Sequence, residues 1–315
     1  MARGRKPRLT RRRLLGHSLL LASGVTAWGR VFGQSGQGGL AATPLADDLV
    51  TILGAGANVV VLVAPDGLLA IDSGAPERSE ALLEYLAQRW PGLPVQTVFN
   101  TNWWWEHTGS NLAFAEAGAT IIAHENTKRW LSAQFKVEWQ DERLHTPVPD
   151  AALPTEAVVA SGRLSFGAIE VEYGHFPEAH TDGDLYVFFP DRNVLVVSDL
   201  LSVGRYPVLD YATGGWLGGM QKAAEGLLAI ADAETKIVPA TGPVQRRADL
   251  ARFHEMCATL NGSITGLVER GLSLEEVLAA QPTRDYDARW GDPELFITQA
   301  YKGLADRGSG SGEAT

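Results

Sequence analysis

A single cysteine, Cys257, stands in the whole chain of 315 residues. No disulfide can form within it, so the fold must rest on packing and hydrogen bonds. No apolar run reaches the roughly 20 residues that a membrane-spanning helix needs. Low-complexity linkers, internal repeats and charge blocks are also missing between residues 50 and 306. Basic residues are scarce outside the first segment. Of the 27 lysines and arginines, eight lie in residues 1–33, leaving 19 against 37 acidic residues, a net charge of −18 without that segment. Such a field repels nucleic acid and anionic membrane surfaces. It also disfavours polyanionic substrates unless a metal offsets the charge.

Residues 1–33 have no acidic residue at all. Seven basic residues between Arg3 and Arg13 precede a moderately apolar run, Leu14 to Trp28, broken by His17. A basic start followed by a short apolar run is the pattern of an export signal. Thr10-Arg11-Arg12-Arg13-Leu14-Leu15 resembles the twin-arginine signal. Small residues suited to cleavage occur at Val31-Phe32-Gly33 and at Leu40-Ala41-Ala42. No cysteine lies at the junction, which argues against a lipoprotein; an uncleaved membrane anchor is the alternative. A protein exported folded by this route needs no oxidative folding, in keeping with the lone cysteine. The expected location is the periplasm or another exported compartment, with no stable membrane span after cleavage. The expected organisation is a signal over 1–33, a linker over 34–49, one domain over 50–306 and a flexible tail over 307–315.

Within the domain, β-branched and apolar runs alternate with helical periodicity. Asn58 to Ala64 and Leu68 to Ile71 flank the turn Pro65-Asp66-Gly67 and predict a buried hairpin ending in Asp72-Ser73-Gly74. Strands are predicted at 95–99, 119–123, 158–160, 163–166, 168–173, 185–189, 194–197 and 236–238. Helices are predicted at 77–90, 112–117, 126–135, 217–231, 247–270, 274–280 and 294–304. Strands cluster with helices in two similar halves. The predicted class is α/β, an αββα sandwich of two mixed sheets flanked by helices.

Four segments carry chemistry. Asn100-Thr101-Asn102-Trp103-Trp104-Trp105-Glu106-His107-Thr108-Gly109-Ser110-Asn111 follows an apolar strand and precedes a helix. His175-Phe176-Pro177-Glu178-Ala179-His180-Thr181-Asp182-Gly183-Asp184 precedes another strand. Val194-Leu195-Val196-Val197-Ser198-Asp199 places an acid at a strand end. Pro239-Ala240-Thr241-Gly242-Pro243 follows a further strand. In kind and order these resemble the ligand motifs of the metallo-β-lactamase superfamily: His-x-His-x-Asp-His, Ala-His-Thr-x-Gly-Asp, a strand-end Asp, and Pro-Gly-His-Gly-Pro. The resemblance covers roughly residues 50–305. It is strengthened by Ile122 to Asn126 and by the Tyr206 to Gly215 segment. His124 and His175 fall outside the ligand pattern and are expected at strand ends.

The resemblance implies the fold named above and a hydrolytic centre in which metal ions activate water. Fold alone names no substrate. Its first metal site would use Asn102, Trp104 and His180, of which only His180 is a ligand type. An indole offers only an N–H donor, and an amide oxygen is a poor zinc ligand. The second site would use Glu106, His107, Asp199 and Thr241. Glu106 is one methylene longer than the usual Asp, and Thr241 replaces a histidine. Three readings stand open. The chain is an inactive homologue working as a binding or scaffold protein, with Asn102, Trp104 and Thr241 lining the former site. Or Glu106, His107, Asp199 and His180 hold a single zinc, iron or manganese and hydrolyse an ester or lactone. Or Glu106 and His107 act without metal as general base and acid. A ligand, if bound, is expected to be aromatic, sugar-like or cationic, from the three tryptophans. No protein partner is specified.

Overall fold

The computed structural model describes Met1 and residues 39–137, 139–140 and 143–310. The export-signal pattern of residues 1–33, apart from Met1, and the end of the tail lie outside the described residues.

The first sheet has seven strands. They are β1 (Ala41–Ala46), β2 (Leu49–Leu53), β3 (Val59–Ala64), β4 (Gly67–Ile71), β5 (Val95–Phe99), β6 (Thr120–His124) and, at the far edge, β9 (Glu156–Val158). A separate hairpin, β7 (Phe135–Val137) and β8 (Arg143–His145), leaves the sheet between β6 and β9. The second sheet runs in order through β10 (Gly162–Phe166), β11 (Ile169–His175), β12 (Leu185–Phe189), β13 (Val194–Ser198) and β14 (Lys236–Pro239). Both sheets are mixed: β4, β5, β6 and β9 are parallel neighbours, as are β13 and β14.

The apolar runs read from the sequence owe their continuity to burial on both faces. In β3, Val60 and Leu62 point one way, into a core shared with Val187, Phe189, Val194 and Val196 of the second sheet. Val59 and Val61 point the other way. They pack with Leu82 and Leu86 of α1 (Ser79–Arg89) and, past the short α2 (Trp105–Thr108), with Phe114 of α3 (Asn111–Glu116). In β13 the same alternation sends Leu195 and Val197 outward. They meet a helical layer that includes α5 (Leu217–Ile230) and α6 (Arg247–Glu269), numbered after α4 (Glu125–Leu131). Cys257 of α6 is buried there, and burial pushes its thiol pKa up. Helices α7 (Leu274–Ala279), α8 (Asp287–Trp290) and α9 (Glu294–Gly310) complete that layer. The expected layering of two mixed sheets between helices is the observed one.

Local expectations differ in several places: strands β2 and β8 were not predicted, and the strand expected at 158–160 forms at Glu156–Val158. Residues 41–46, expected as linker, form edge strand β1 with Leu45 buried. Their alanines and Pro44 give weak strand signal, and an edge position is where proline is tolerated. The helix predicted to run to Phe135 stops at Leu131, and Phe135 opens β7 against Trp103 and Trp130. Helix α9 extends to residue 310, into the segment expected as tail. Among the described residues no helix is long and apolar enough to cross a membrane.

Candidate functional site

The four motifs converge where β4, β5, β13 and β14 end. Two non-glycine residues there adopt left-handed backbone, Asp72 (φ 66°) and Ser198 (φ 50°). That conformation is costly for side chains and persists only where surrounding bonds enforce it. Thr101 supplies the enforcement. Its backbone N–H donates to Asp72 Oδ1 at 2.8 Å, and its hydroxyl donates to Ser198 Oγ at 2.8 Å.

His107 lies between two carboxylates. Its Nδ1 is 2.8 Å from Asp72 Oδ2 and its Nε2 is 2.8 Å from Asp199 Oδ2. Bonding both requires both ring nitrogens to donate, so the ring is imidazolium. Burial opposes that charge, but Asp72 and Asp199 outweigh it and hold the pKa well above the ordinary histidine value. Burial likewise works against the Asp199 carboxylate. The His107 and His180 rings, with an Asn102 hydrogen bond, overcome it and keep Asp199 well below the usual range.

Asn102 is 1% exposed. Its amide nitrogen donates to Asp199 Oδ2 at 2.9 Å, and its oxygen accepts the Trp104 backbone N–H at 2.9 Å. The one atom of Asn102 able to ligate a cation is therefore turned to the backbone. Trp104 is 8% exposed. Its ring stands 4.4 Å from the His180 ring at 65°, and its Nε1 donates to Asp210 Oδ2 at 3.3 Å. Trp105 lies parallel to it at 6.0 Å, and Trp139 stacks on it at 4.7 Å.

His180 is fixed through its backbone, whose N–H donates to Asp184 Oδ2 at 2.7 Å. Its ring nitrogens make no hydrogen bond with a described residue; Nδ1 comes no closer than 3.5 Å to Asp184 Oδ1. Burial opposes its charge, yet Asp199, Asp184 and Asp210 raise its pKa. Glu106 sits in the first turn of α2, with Oε2 buried and unpartnered; burial raises its pKa. Thr241 is exposed and accepts a bond from Arg205 Nη2 at 3.3 Å.

The metallo-β-lactamase superfamily pattern matches residues 53–241. The chain belongs to that superfamily. Among solved superfamily structures, a metallo-β-lactamase from Pontibacter korlensis aligns with TM-score 0.55 and 16% identity, over 70% of this chain and 99% of that one. The stereoselective inverting sec-alkylsulfatase Pisa1 from Pseudomonas sp. aligns with TM-score 0.63 and 16% identity, over 84% of this chain and 50% of that one. At such identity the likeness is one of fold. A curated relative, the 2,4-dinitroanisole O-demethylase subunit alpha of Nocardioides sp. (strain JS1661), is 23% identical over 194 residues, 60% of this chain and 55% of that protein. The chain thus spans about half the length of that relative.

Set against the superfamily pattern, the donor set as arranged does not fit a dinuclear metal centre. Trp104, at a position where the resemblance expects a ligand, packs on His180. Of the residues the resemblance assigns to a second site, His107 and Asp199 are bonded to each other and Thr241 is engaged by Arg205. Among the described residues, no three His, Cys, Asp or Glu side chains are grouped so as to hold a metal ion. The structure does bring Asn102, Trp104, His107 and Asp199 into one bonded cluster, with the His180 ring against Trp104.

It also adds residues that sequence reasoning passed over. Asp72 was legible as a strand end, but not as the partner of His107. Asp210 enters from the loop before α5, stitched by its N–H to the His180 carbonyl at 2.9 Å. Gly215 permits that approach, since a Cβ there would fall 2.0 Å from the same carbonyl oxygen. Asp210 is 1% exposed, burial raises its pKa, and its Oδ1 has no partner. The Tyr206 to Gly215 pattern was the only sequence signal for it.

Proposed function

We propose that this protein binds a small organic molecule at the sheet ends without a resident metal ion. In this reading, tryptophan packing stands where other members of the superfamily hold their metals. The observation that carries it is the Trp104 ring, 4.4 Å from His180 and bonded to Asp210. An aromatic ring of this size, stacked on Trp139 and bonded through its N–H to Asp210, stands against the His180 ring. The cluster of Asp72, His107 and Asp199 then serves as a buried ionic brace that keeps the two sheets' ends in register. The relatives' printed names, a lactamase, an alkylsulfatase and an O-demethylase, favour small organic molecules as the ligand class. We also propose that the protein works outside the cytoplasm, on the strength of the twin-arginine pattern at Thr10 to Leu15.

The test is the metal content of protein purified without chelator or affinity metal, measured by elemental mass spectrometry before and after soaking in zinc, ferrous iron or manganese. Far less than one ion per chain is expected. Near one ion per chain, lost in Asp199→Ala, would overturn the reading in favour of a mononuclear hydrolase built on Glu106, His107, Asp199 and His180.

A further inference from the structure

The candidate site is closed: Asn102, Trp103, Trp104, His107 and His180 are all buried. A guest reaches them only if part of the wall moves. Two of the indoles are held by one loop, residues 209–216. Thr213 Oγ1 accepts from Trp103 Nε1 at 3.2 Å, as Asp210 Oδ2 accepts from Trp104 Nε1. Backbone bonds sew the same loop to the His180 segment. The Trp216 N–H donates to the Ala179 carbonyl at 3.0 Å, and the Asp182 N–H donates to the Thr213 carbonyl at 2.8 Å.

Helix α9 covers the outer side of this loop. Its first half is rooted in the core by Phe296, Ile297 and Ala300. Gln299, fully buried, accepts the Leu209 N–H at 3.0 Å. At Gly303 helix and loop nearly touch, since a Cβ there would stand 3.4 Å from Trp216 Cβ and 3.6 Å from the Gly215 carbonyl oxygen.

From Lys302 onward the contacts change in kind. Lys302 Nζ donates to the Tyr211 hydroxyl at 2.8 Å. The Arg307 guanidinium carbon lies 4.4 Å from the Trp216 ring centre, and Nη2 pairs with Glu178 Oε2 at 3.0 Å. The Arg307 and Glu178 side chains are 37% and 49% exposed, so water competes for both partners. Glu178 is itself held in left-handed backbone (φ 58°), a conformation that costs energy in a residue with a side chain. Gly303 and Gly308 weaken this half of the helix further. The β7–β8 hairpin also covers the tryptophans, but through half-buried rings, Trp139 on Trp104 and Phe135 against Trp103, which part at greater cost.

We propose that the last two turns of α9 are a releasable strap over the candidate site. Docked, they hold the 209–216 loop onto Trp103 and Trp104 and keep the site shut. Undocked, they free the loop to lift and open a path to the indoles and His180. Lys302 and Arg307 form the clasp, while the apolar first half of α9 stays in place as the hinge. The inference rests on the ligand-binding reading above and adds how a ligand enters.

Hydrogen–deuterium exchange on the full chain tests it, comparing the natural protein with the double variant Lys302→Ala, Arg307→Ala. Exchange at Asp210, Thr213, Gly215 and Trp216 should quicken about tenfold, the combined worth of an exposed ion pair and a cation–π contact. The His107 and Thr108 amides, which bond the Trp104 carbonyl, should quicken with them. β13 and α6 should keep their natural rates. Faster exchange confined to α9, or reaching the loop but not His107 and Thr108, overturns the strap. So does equal acceleration in β13 and α6, which marks loss of the whole fold. Metal content does not enter this test, so the strap and the ligand-binding reading fail separately.

Discussion

The indole of Trp104 and the imidazole of His180 meet at 65° with 4.4 Å between ring centres. Trp104 is also stacked on Trp139 and belongs to a cluster with Trp103, Leu131 and Val137. Trp104→Ala should therefore cost about 3 kcal/mol or more of stability, as expected for emptying a packed aromatic site. Urea unfolding monitored by circular dichroism would measure it. A loss below about 1 kcal/mol would mean the ring is not a packing element.

Stability should decline as pH rises through neutrality. His107 and His180 have pKa values raised above the ordinary histidine value. Their contribution is complete below about pH 6.5 and is lost as pH rises through the raised folded values. Glu106 and Asp210 are also raised, by burial, so ionising them at higher pH acts in the same direction. Asp199 is depressed, so its contribution is present above about pH 4 and is lost on further acidification. The urea midpoint should peak near about pH 5 and fall toward pH 9. His180→Gln should flatten that fall. A midpoint that stays level or climbs over this range contradicts the assigned charge states.

Restoring ligands should restore metal. Asn102→His with Trp104→His would place three imidazoles at the first site together with His180. About one zinc per chain is expected, the complement of a three-histidine site. Trp104→His alone should remain essentially metal-free, because Asn102 still turns its nitrogen toward Asp199. Elemental analysis of the two variants decides this. Full zinc loading of the single variant would show that Asn102 is no barrier.

Gly215→Ala drives a methyl group to 2.0 Å from the His180 carbonyl. The backbone must shift, breaking the Asp210 to His180 bond. A cost of about 2 kcal/mol or more is expected, in the range for overpacking. Gly262→Ala, whose Cβ meets nothing within 4 Å, is the control on α6. It should be neutral or slightly stabilising in the same thermal melt, since alanine outperforms glycine within helices.

Changing the twin arginines to lysine (Arg11→Lys with Arg12→Lys) should hold the protein in the cytoplasm if the export pattern is functional. Fractionation followed by immunoblotting reads this directly. Unimpaired export would remove the proposal of an extracytoplasmic role.

The sequence was legible wherever local chemistry decided the outcome. β3 and β13 are runs of apolar residues because both their faces are buried, and length with β-branching marked them as strands. Asp199, Asn102 and Trp104 could be singled out because each falls in a segment with fixed spacing. What stayed hidden depends on contacts remote in the chain. Asp72 pairs with a histidine 35 residues away, and no local pattern announces that pairing. Asp210 reaches the cluster only because Gly215 lets two loops touch. The β7–β8 hairpin has three-residue strands, too short for periodicity to register, and its order comes from the tryptophans it covers. Pro44 concealed β1, since proline argues against any strand but an edge.

Cys257 lies fully buried on α6 with its thiol pKa pushed up. Thiol reagents act through the thiolate, so the native chain is silent toward maleimides and iodoacetamide. Any surface position changed to cysteine thus becomes a uniquely addressable label. Leu144, half exposed beside Arg143 on β8, is suited to carry an environment-sensitive dye. One such conjugate would report movement of the β7–β8 hairpin without removing a native cysteine.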